Sequence, residues 1–245
     1  MSNTRKIRPA TALPRPQQAN SVVVAFLHPG QTSAYFTTSL VGSLLFDQVG
    51  GRHIKGLLNE WSSANISAAR NNLVAKFLSD HTADWLWFID ADMGWDHDAL
   101  PGLLATADPD TAPIVGGLCF GASGDRLFPT IYQFAEVEGK TTTVRINDYP
   151  RDAVIGCAAT GAAFLLIHRR VLEAIRERAF NATFPWFQET ELAGQPCGED
   201  LTFCLRAGIC GFPVLVDTRV KVGHHKSHLL TEDLFLSQQG IEEVA

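Results

Sequence analysis

Asp90-Ala91-Asp92 puts two carboxylates one small residue apart, directly after Trp85-Leu86-Trp87-Phe88-Ile89. Five large apolar or aromatic residues in a row, too short for a helix, read as a fully buried strand. Two like charges at its end repel, and leaving water increases the repulsion. A divalent cation in a cleft at the strand end resolves this. Oxygen ligands suit Mg²⁺ or Mn²⁺, which keep positions open for water and substrate phosphates. A strand-end Asp followed by a surface capping Asp is the plainer alternative.

A second acidic site lies at Gly198-Glu199-Asp200, where Leu201, Cys204 and Leu205 give the following segment an apolar helical face that ends at Gly208. Carboxylates at a helix start complement its dipole, so capping alone would account for Glu199 and Asp200. A carboxylate in hydrogen-bond reach of a hydroxyl is also a general base. Arg70 and Asn71 lie one turn into an amphipathic helix expected over residues 65–78, capped by Asn65. A helix start with an Arg beside it is an anion site, though a solvated Arg has the same spacing. Near the end of the chain, Val222-Gly223-His224-His225-Lys226-Ser227-His228 presents three His without zinc-finger spacing. One of them is able to join two carboxylates around Mn²⁺.

The elements that must position these residues alternate between strands and helices. Ser21 to Leu27 is a β-branched strand, ended by the turn His28-Pro29-Gly30, and a helix follows over about 34–46. Ligands in such sheets bind beyond the carboxyl ends of the strands, so His28 and Gly30 are expected to face the cleft. Asp96 is expected to cap a helix reaching about Ala107, and Pro113 to Phe120 reads as a strand whose Gly116 and Gly117 mark a close approach of ligand or neighbour. Residues 128–147 read as a β-hairpin turning at Glu138-Gly139-Lys140. Gly156 opens a small-residue run, Thr160 and Gly161 within it, that would let a substrate lie against backbone before the strand ending at Ile167, unless it merely packs closely. Phe184-Pro185-Trp186-Phe187-Gln188 suits either sugar stacking or a buried lid. Phe212 to Asp217 is the last strand.

In this order the Ala69-Arg70-Asn71 helix, Phe88-Ile89-Asp90-Ala91-Asp92, Ile114-Val115-Gly116-Gly117, Thr160-Gly161-Ala162-Ala163-Phe164, Gly198-Glu199-Asp200 with Phe203, and Val222-Gly223-His224 resemble the nucleotide-sugar-dependent glycosyltransferases of the GT-A fold, family-2-like. More narrowly the chain is similar to small glycosyltransferases encoded by bacteriophages. The resemblance spans about residues 21–228. It implies a single α/β domain with a Rossmann-like, mixed but mostly parallel central sheet flanked by helices. It also implies sugar transfer from a nucleotide-diphosphate sugar, UDP-linked, to an acceptor hydroxyl on a virion protein, a glycan or a modified DNA base. Mn²⁺ or Mg²⁺ would be held by Asp90, Asp92 and His224, with His225 a competitor for the last place. His28, Gly30, Arg70, Asn71, Asp90, Ala91, Thr160 and Gly161 would lie along the donor. Asp200, with Glu199 beside it, would supply the base. A nucleotidyltransferase of related fold and a non-catalytic sugar-binding module are the alternatives. The first usually carries a Gly-rich basic loop, which His28-Pro29-Gly30-Gln31 is not. The second has no need of four acidic residues together.

The 245 residues suffice for one large domain, with 1–20 a flexible Arg- and Pro-containing arm, 21–230 the catalytic domain and 231–245 a C-terminal helix or tail. A 46% hydrophobic fraction and a mean hydropathy of +0.03 fit a globular chain, and no apolar run reaches membrane-span length. The N-terminus has no secretory pattern. Five Cys without a CxxC pair fit reduced thiols in a cytoplasm, the host's if the chain is phage-encoded. A net charge of −6 argues against coating nucleic acid, while the basic arm (Arg5 to Arg15) and the basic run Lys221 to His228 keep local contact with DNA open.

Overall fold

The computed structural model describes residues 20–226 except 63, 124–125, 138 and 193. All but the last residue of the expected N-terminal arm, and the C-terminal helix or tail over 231–245, therefore lie outside the described residues.

The chain begins β1 (Val22–His28), α1 (Ala34–Val49), β2 (Ile54–Trp61), α2 (Ile66–Asp80) and β3 (Trp85–Asp90). These are two crossovers: α1 links the parallel neighbours β1 and β2, and α2 carries the chain past β1 to β3, which pairs in parallel on its other side. Next come β4 (Met93–Trp95), α3 (Ala99–Thr106) and β5 (Ile114–Leu118). Two hairpins follow, β6 (Phe120–Ser123) with β7 (Arg126–Pro129) and β8 (Ile131–Val137) with β9 (Lys140–Arg145). The last part holds β10 (Val154–Cys157), β11 (Ala159–Thr160), β12 (Phe164–His168), α4 (Arg169–Arg178), a short hairpin of β13 (Thr190–Leu192) and β14 (Gln195–Cys197), α5 (Glu199–Ile209) and β15 (Val214–His224).

The central sheet has the order β10-β15-β5-β12-β3-β1-β2, with β4 paired to the far end of β15. Strands β2, β1, β3, β5 and β15 run one way; β12 and β10 run against them. This is the expected mixed, mostly parallel α/β architecture. Both sheet faces are covered, so side chains alternate between two cores. Val23, Ala25, Leu86 and Phe88 pack with α2, α4 and α5. Val22, Val24, Trp85, Trp87 and Ile89 pack with Phe36 of α1 and Leu100 and Leu103 of α3. That alternation carries Asp90, in step with Leu86 and Phe88, toward the α2 side. It explains where the first carboxylate goes.

Three differences from the sequence expectations have local causes. β2 was not foreseen: it is an edge strand, half-buried only at every second residue, and the adjacent Leu57 and Leu58 blur its alternation. The helix expected from Asp96 begins at Ala99, although the Asp96 carbonyl still accepts the Ala99 N–H at 3.0 Å. The last strand runs seven residues past Asp217, because a register shift between Asp217 and Lys221 redirects it onto β4. The close approach marked by Gly116 and Gly117 is to neighbouring protein. A Cβ on Gly117 would fall 2.9 Å from both Phe164 Cδ1 and Val222 Cγ2; one on Gly116 would fall 3.3 Å from Thr160 Cγ2. Gly117→Ala should therefore destabilise the protein by about 1–3 kcal/mol, and Gly116→Ala by less. Urea denaturation of the two variants checks this, and equal costs would contradict it.

Candidate active site

The carboxyl ends of β1 and β3 and the N-termini of α2 and α5 meet at one edge of the sheet. Arg70 of α2 joins the end of β3, the start of α5 and the segment before β12. It is buried on α2, 3% exposed, and three elements contact it. Its Nη2 donates to both oxygens of Asp90 at 3.1 and 3.2 Å. Its Nη1 donates to the Ala162 carbonyl at 3.2 Å, and Nε lies 3.3 Å from Glu199 Oε1, an ion pair without hydrogen-bond alignment. Burial alone would lower the guanidinium's pKa, but Asp90, Glu199 and Asp200 around it outweigh that and raise it.

Three carboxylates about one guanidinium leave excess negative charge, and Asp200 carries the consequence. Burial, reinforced by Glu199 and more weakly by Asp90, pushes its carboxyl up to about 6, against the pull of Arg70 and of the Leu201 N–H. That N–H donates to Asp200 Oδ1 at 2.7 Å. α5 starts after Gly198 without a side-chain cap, with both acidic residues in its first turn. Gly161 lies alongside: a Cβ there would fall 3.6 Å from Asp200 Oδ2, ordinary contact, so this glycine leaves open room beside the carboxylate. Asp200 is thus ionised at neutral pH yet far more basic than an ordinary carboxylate, as a general base requires.

Asp92 lies past the end of β3 and faces the end of β15. Of the two adjacent histidines, His224 turns its ring to Asp92, with Nε2 3.0 Å from Oδ2, while His225 packs its ring against Tyr35 at 5.4 Å. The His225 N–H donates to the Asp92 carbonyl at 2.8 Å. His224 Nδ1 lies 2.8 Å from the Phe120 carbonyl, an acceptor only, so Nδ1 carries the hydrogen. Nε2 of a neutral ring then points a lone pair at a carboxylate, and a second proton or a cation must lie between them. The Asp92 hydrogen bond raises the His224 pKa accordingly. Burial would push Asp92 up, but the hydrogen bonds from His224 and Lys226 hold it at about 2.

The pair fits a divalent ion. Neighbouring ligands of an octahedral ion with ~2.1 Å bonds are ~3 Å apart. A ring fixed through its other nitrogen by a backbone carbonyl is the usual support of a metal-bound His. Among the described residues no three His, Cys, Asp or Glu side chains form a closed metal cage. Asp90, expected with Asp92 and His224, is turned to Arg70. Two protein ligands with open positions are what an ion holding substrate phosphates needs.

The other expected donor residues divide into those that reach the cleft and those that hold it. A cleft of roughly 560 Å³ is lined by Pro29, Thr32, Ser33, Ile66, Asp90, Ala91 and Asp92 among others. Ser33 caps α1 through its side chain, and its N–H donates to the Ala91 carbonyl at 2.9 Å, which sets the floor. His28 is turned away: Nδ1 accepts the Gly30 N–H and Nε2 faces Asn59 Oδ1. Gly30, at φ +96°, lies under the Trp61 ring, where a Cβ would fall 2.6 Å from Cη2. Thr160 is buried and donates to the Thr130 carbonyl. Asn71, expected beside the nucleotide, is buried and spends its amide on protein. It donates to the Ser67 and Phe187 carbonyls and accepts the Trp186 N–H. Arg206 of α5 holds the same loop through the Phe184 and Pro185 carbonyls. Trp186 and Phe187 are buried, the latter stacked on Phe203 at 4.7 Å, so they are core and not a sugar platform. Sequence reasoning did not single out Ser33, the Phe120 carbonyl or Lys226. Backbone groups carry no sequence signal, and Lys226 was visible only as part of a basic run.

With this geometry in view, the likeness to known proteins is specific about family and coarse about chemistry. No curated protein matches the chain by sequence. Among solved structures, A197 from STIV superposes with a TM-score of 0.52 at 14% identity, covering 86% of this chain and 97% of that one. GalNAc-T7, crystallised with UDP, GalNAc and Mn²⁺, gives 0.55 at 11% identity, covering 85% of this chain and 44% of that one. Both likenesses support the GT-A fold. The sequence model of glycosyl transferase family 2 matches residues 45–174, just over half of the chain and including Arg70, Asp90, Asp92, Thr160 and Gly161. The chain belongs to glycosyl transferase family 2 and is a glycosyltransferase.

Proposed function

We propose that the enzyme transfers a sugar from a UDP-linked donor to an acceptor hydroxyl with the help of Mn²⁺ or Mg²⁺. The observation that carries this reading is the presence of two unlike acidic positions, Asp92 against the end of β15 and Asp200 beside Arg70. On one side Asp92 and His224 offer two ligands with open sites. On the other Asp200 is held near a pKa of 6. Asp92 and His224 would hold the metal, which when bound stabilises charge on the leaving diphosphate. Asp200 takes the acceptor's hydroxyl proton as the acceptor oxygen bonds to the anomeric carbon and the bond to the diphosphate breaks. Arg70 keeps Asp90 and Glu199 paired, which leaves Asp200 as the carboxylate free to act. The UDP and Mn²⁺ in the GalNAc-T7 crystal support the choice of nucleotide and ion.

For the acceptor we favour a virion protein or glycan over a modified DNA base, because a net charge of −6 weakens attraction to phosphates. A cytoplasmic setting agrees with five free cysteines among the described residues. No helix among them is long and apolar enough to cross a membrane. Mass spectrometry of co-expressed virion proteins and of DNA nucleosides tests the acceptor; a mass shift confined to nucleosides would reverse the preference.

UDP release from a panel of nucleotide sugars should require Mn²⁺ or Mg²⁺ and vanish in Asp92→Ala. Release that persists in Asp92→Ala refutes the metal role. UDP with Mn²⁺ should raise Tm while ATP or CTP should not, which separates the reading from a nucleotidyltransferase.

Turnover should rise with pH through an apparent pKa of about 6 and then level, as Asp200 loses its proton. Asp200→Asn should stop transfer but keep UDP affinity; a collapse of affinity instead would contradict the base role. The same variant should be more stable. A folded-state pKa raised above the unfolded value means that the ionised carboxylate costs stability above about pH 6, a cost absent below about pH 4. The gain in Tm, about 2–4 °C per kcal/mol recovered, should appear at pH 7 and disappear at pH 4.

Arg70→Met leaves three carboxylates facing one another. It should lower stability at pH 7 by about 3–5 kcal/mol. Asp200, already raised above its ordinary range, loses the downward pull of the guanidinium, so the deficit should shrink as pH falls toward 4. Denaturation at the two pH values checks the sign.

A further inference from the structure

Asp92 Oδ2 is shared. Besides His224 Nε2 at 3.0 Å it accepts from Lys226 Nζ at 2.9 Å. The lone pairs that an entering cation would need are thus already facing an ammonium group. Both partners are near half exposed, Lys226 at 48% and Asp92 at 40%, so neither is locked in place by burial. The backbone before Lys226 is fixed, by the His225 N–H on the Asp92 carbonyl and by the pairing of Gly223 with Gly94. Its four-carbon stem is free to swing without moving the chain. Lys226 also lines both the cleft over Asp90–Asp92 and a neighbouring cavity of roughly 850 Å³ walled by Tyr35, Trp95, Leu127 and His224. Its ammonium therefore has open space on either side of the carboxylate.

Resting on the metal–nucleotide reading above, we propose that Lys226 is the stand-in counter-ion of Asp92. It occupies the carboxylate while the site holds no metal, is displaced when a divalent ion binds, and then pairs with the donor's diphosphate. The charges support the exchange. Asp92 and Asp90 lie one residue apart, and only Asp90 is neutralised by Arg70. An empty site with Asp92 bare would leave that charge uncompensated at the sheet edge; a site holding metal, diphosphate and Lys226 together brings the ammonium against anionic oxygens. Lys226 is a positioning residue in this account, and it sets how readily metal binds before nucleotide.

Two affinities that need no turnover test it. Mn²⁺ binding without nucleotide is measured by water-proton relaxation, and UDP binding by calorimetry at saturating Mn²⁺. Lys226→Ala should bind Mn²⁺ alone about three- to fivefold more tightly, the scale of a half-exposed ion pair. It should bind UDP with Mn²⁺ several-fold more weakly. Lys226→Arg should stay near wild type in both, with Tm confirming that each variant is folded. Unchanged or weaker Mn²⁺ binding in Lys226→Ala, or unchanged UDP binding, overturns the proposal and leaves the metal reading standing. Mn²⁺ binding that survives Asp92→Ala overturns both.

Discussion

The site depends on one buried guanidinium. Arg70 is 3% exposed and surrounded by Asp90, Glu199 and Asp200. A buried cation without partners would be prohibitively costly, and three partly buried carboxylates crowded together without a cation would be costly too. Each therefore requires the other, and the requirement ties α2, the end of β3 and the start of α5 into one unit. The Ala162 carbonyl joins that unit through Arg70 Nη1, so the small-residue run before β12 is drawn in as well. The fold is fixed at the point where charge has to be placed.

The same constraint sorts the four carboxylates into different jobs. Asp90 and Glu199 are paired with Arg70 and serve chiefly as its anchors. Asp200 feels the guanidinium without bonding to it and is left basic. Asp92 is outside the network, more exposed, and is answered by His224 and Lys226 from the end of β15. Neighbouring residues of identical chemistry thus end in unlike states. The proposed route of glycosyl transfer asks for such a division, one carboxylate to hold a metal and another to act as base.

Much of the surrounding machinery keeps this arrangement rigid. Asn71, next to Arg70 in sequence, faces away from the cleft and ties down the loop carrying Trp186 and Phe187. Arg206 holds that loop from α5. Phe187 stacks on Phe203 and meets Phe88 edge-on, so the loop, α5 and β3 share one aromatic contact. Placing charges to within an ångström calls for such support, since a loosely held carboxylate is a poor base.

The sequence by itself determined the alternation of strand and helix, the burial of Trp85 to Ile89, and the placing of Asp90-Ala91-Asp92 and Glu199-Asp200 at element ends. These follow from local rules: period, β-branching and capping act over a few residues and leave their mark in composition. It also held enough ordered motifs to resemble the family that the chain proved to match. What it could not determine was which carboxylate meets which cation. Asp90 and Asp92 look alike in the chain, yet strand alternation sends one to Arg70 while the register shift in β15 brings His224 and Lys226 to the other. Asn71 likewise reads as a donor-side residue and folds as scaffold, and Trp186, which in sequence suits either sugar stacking or a buried lid, is buried. The edge strand β2 escaped notice because only half of it is covered. Those outcomes rest on contacts between residues far apart in sequence, 20 positions for Arg70 and Asp90 and 134 for Lys226 and Asp92. Only the closed tertiary structure brings such charges together, and their energies depend on the burial it imposes.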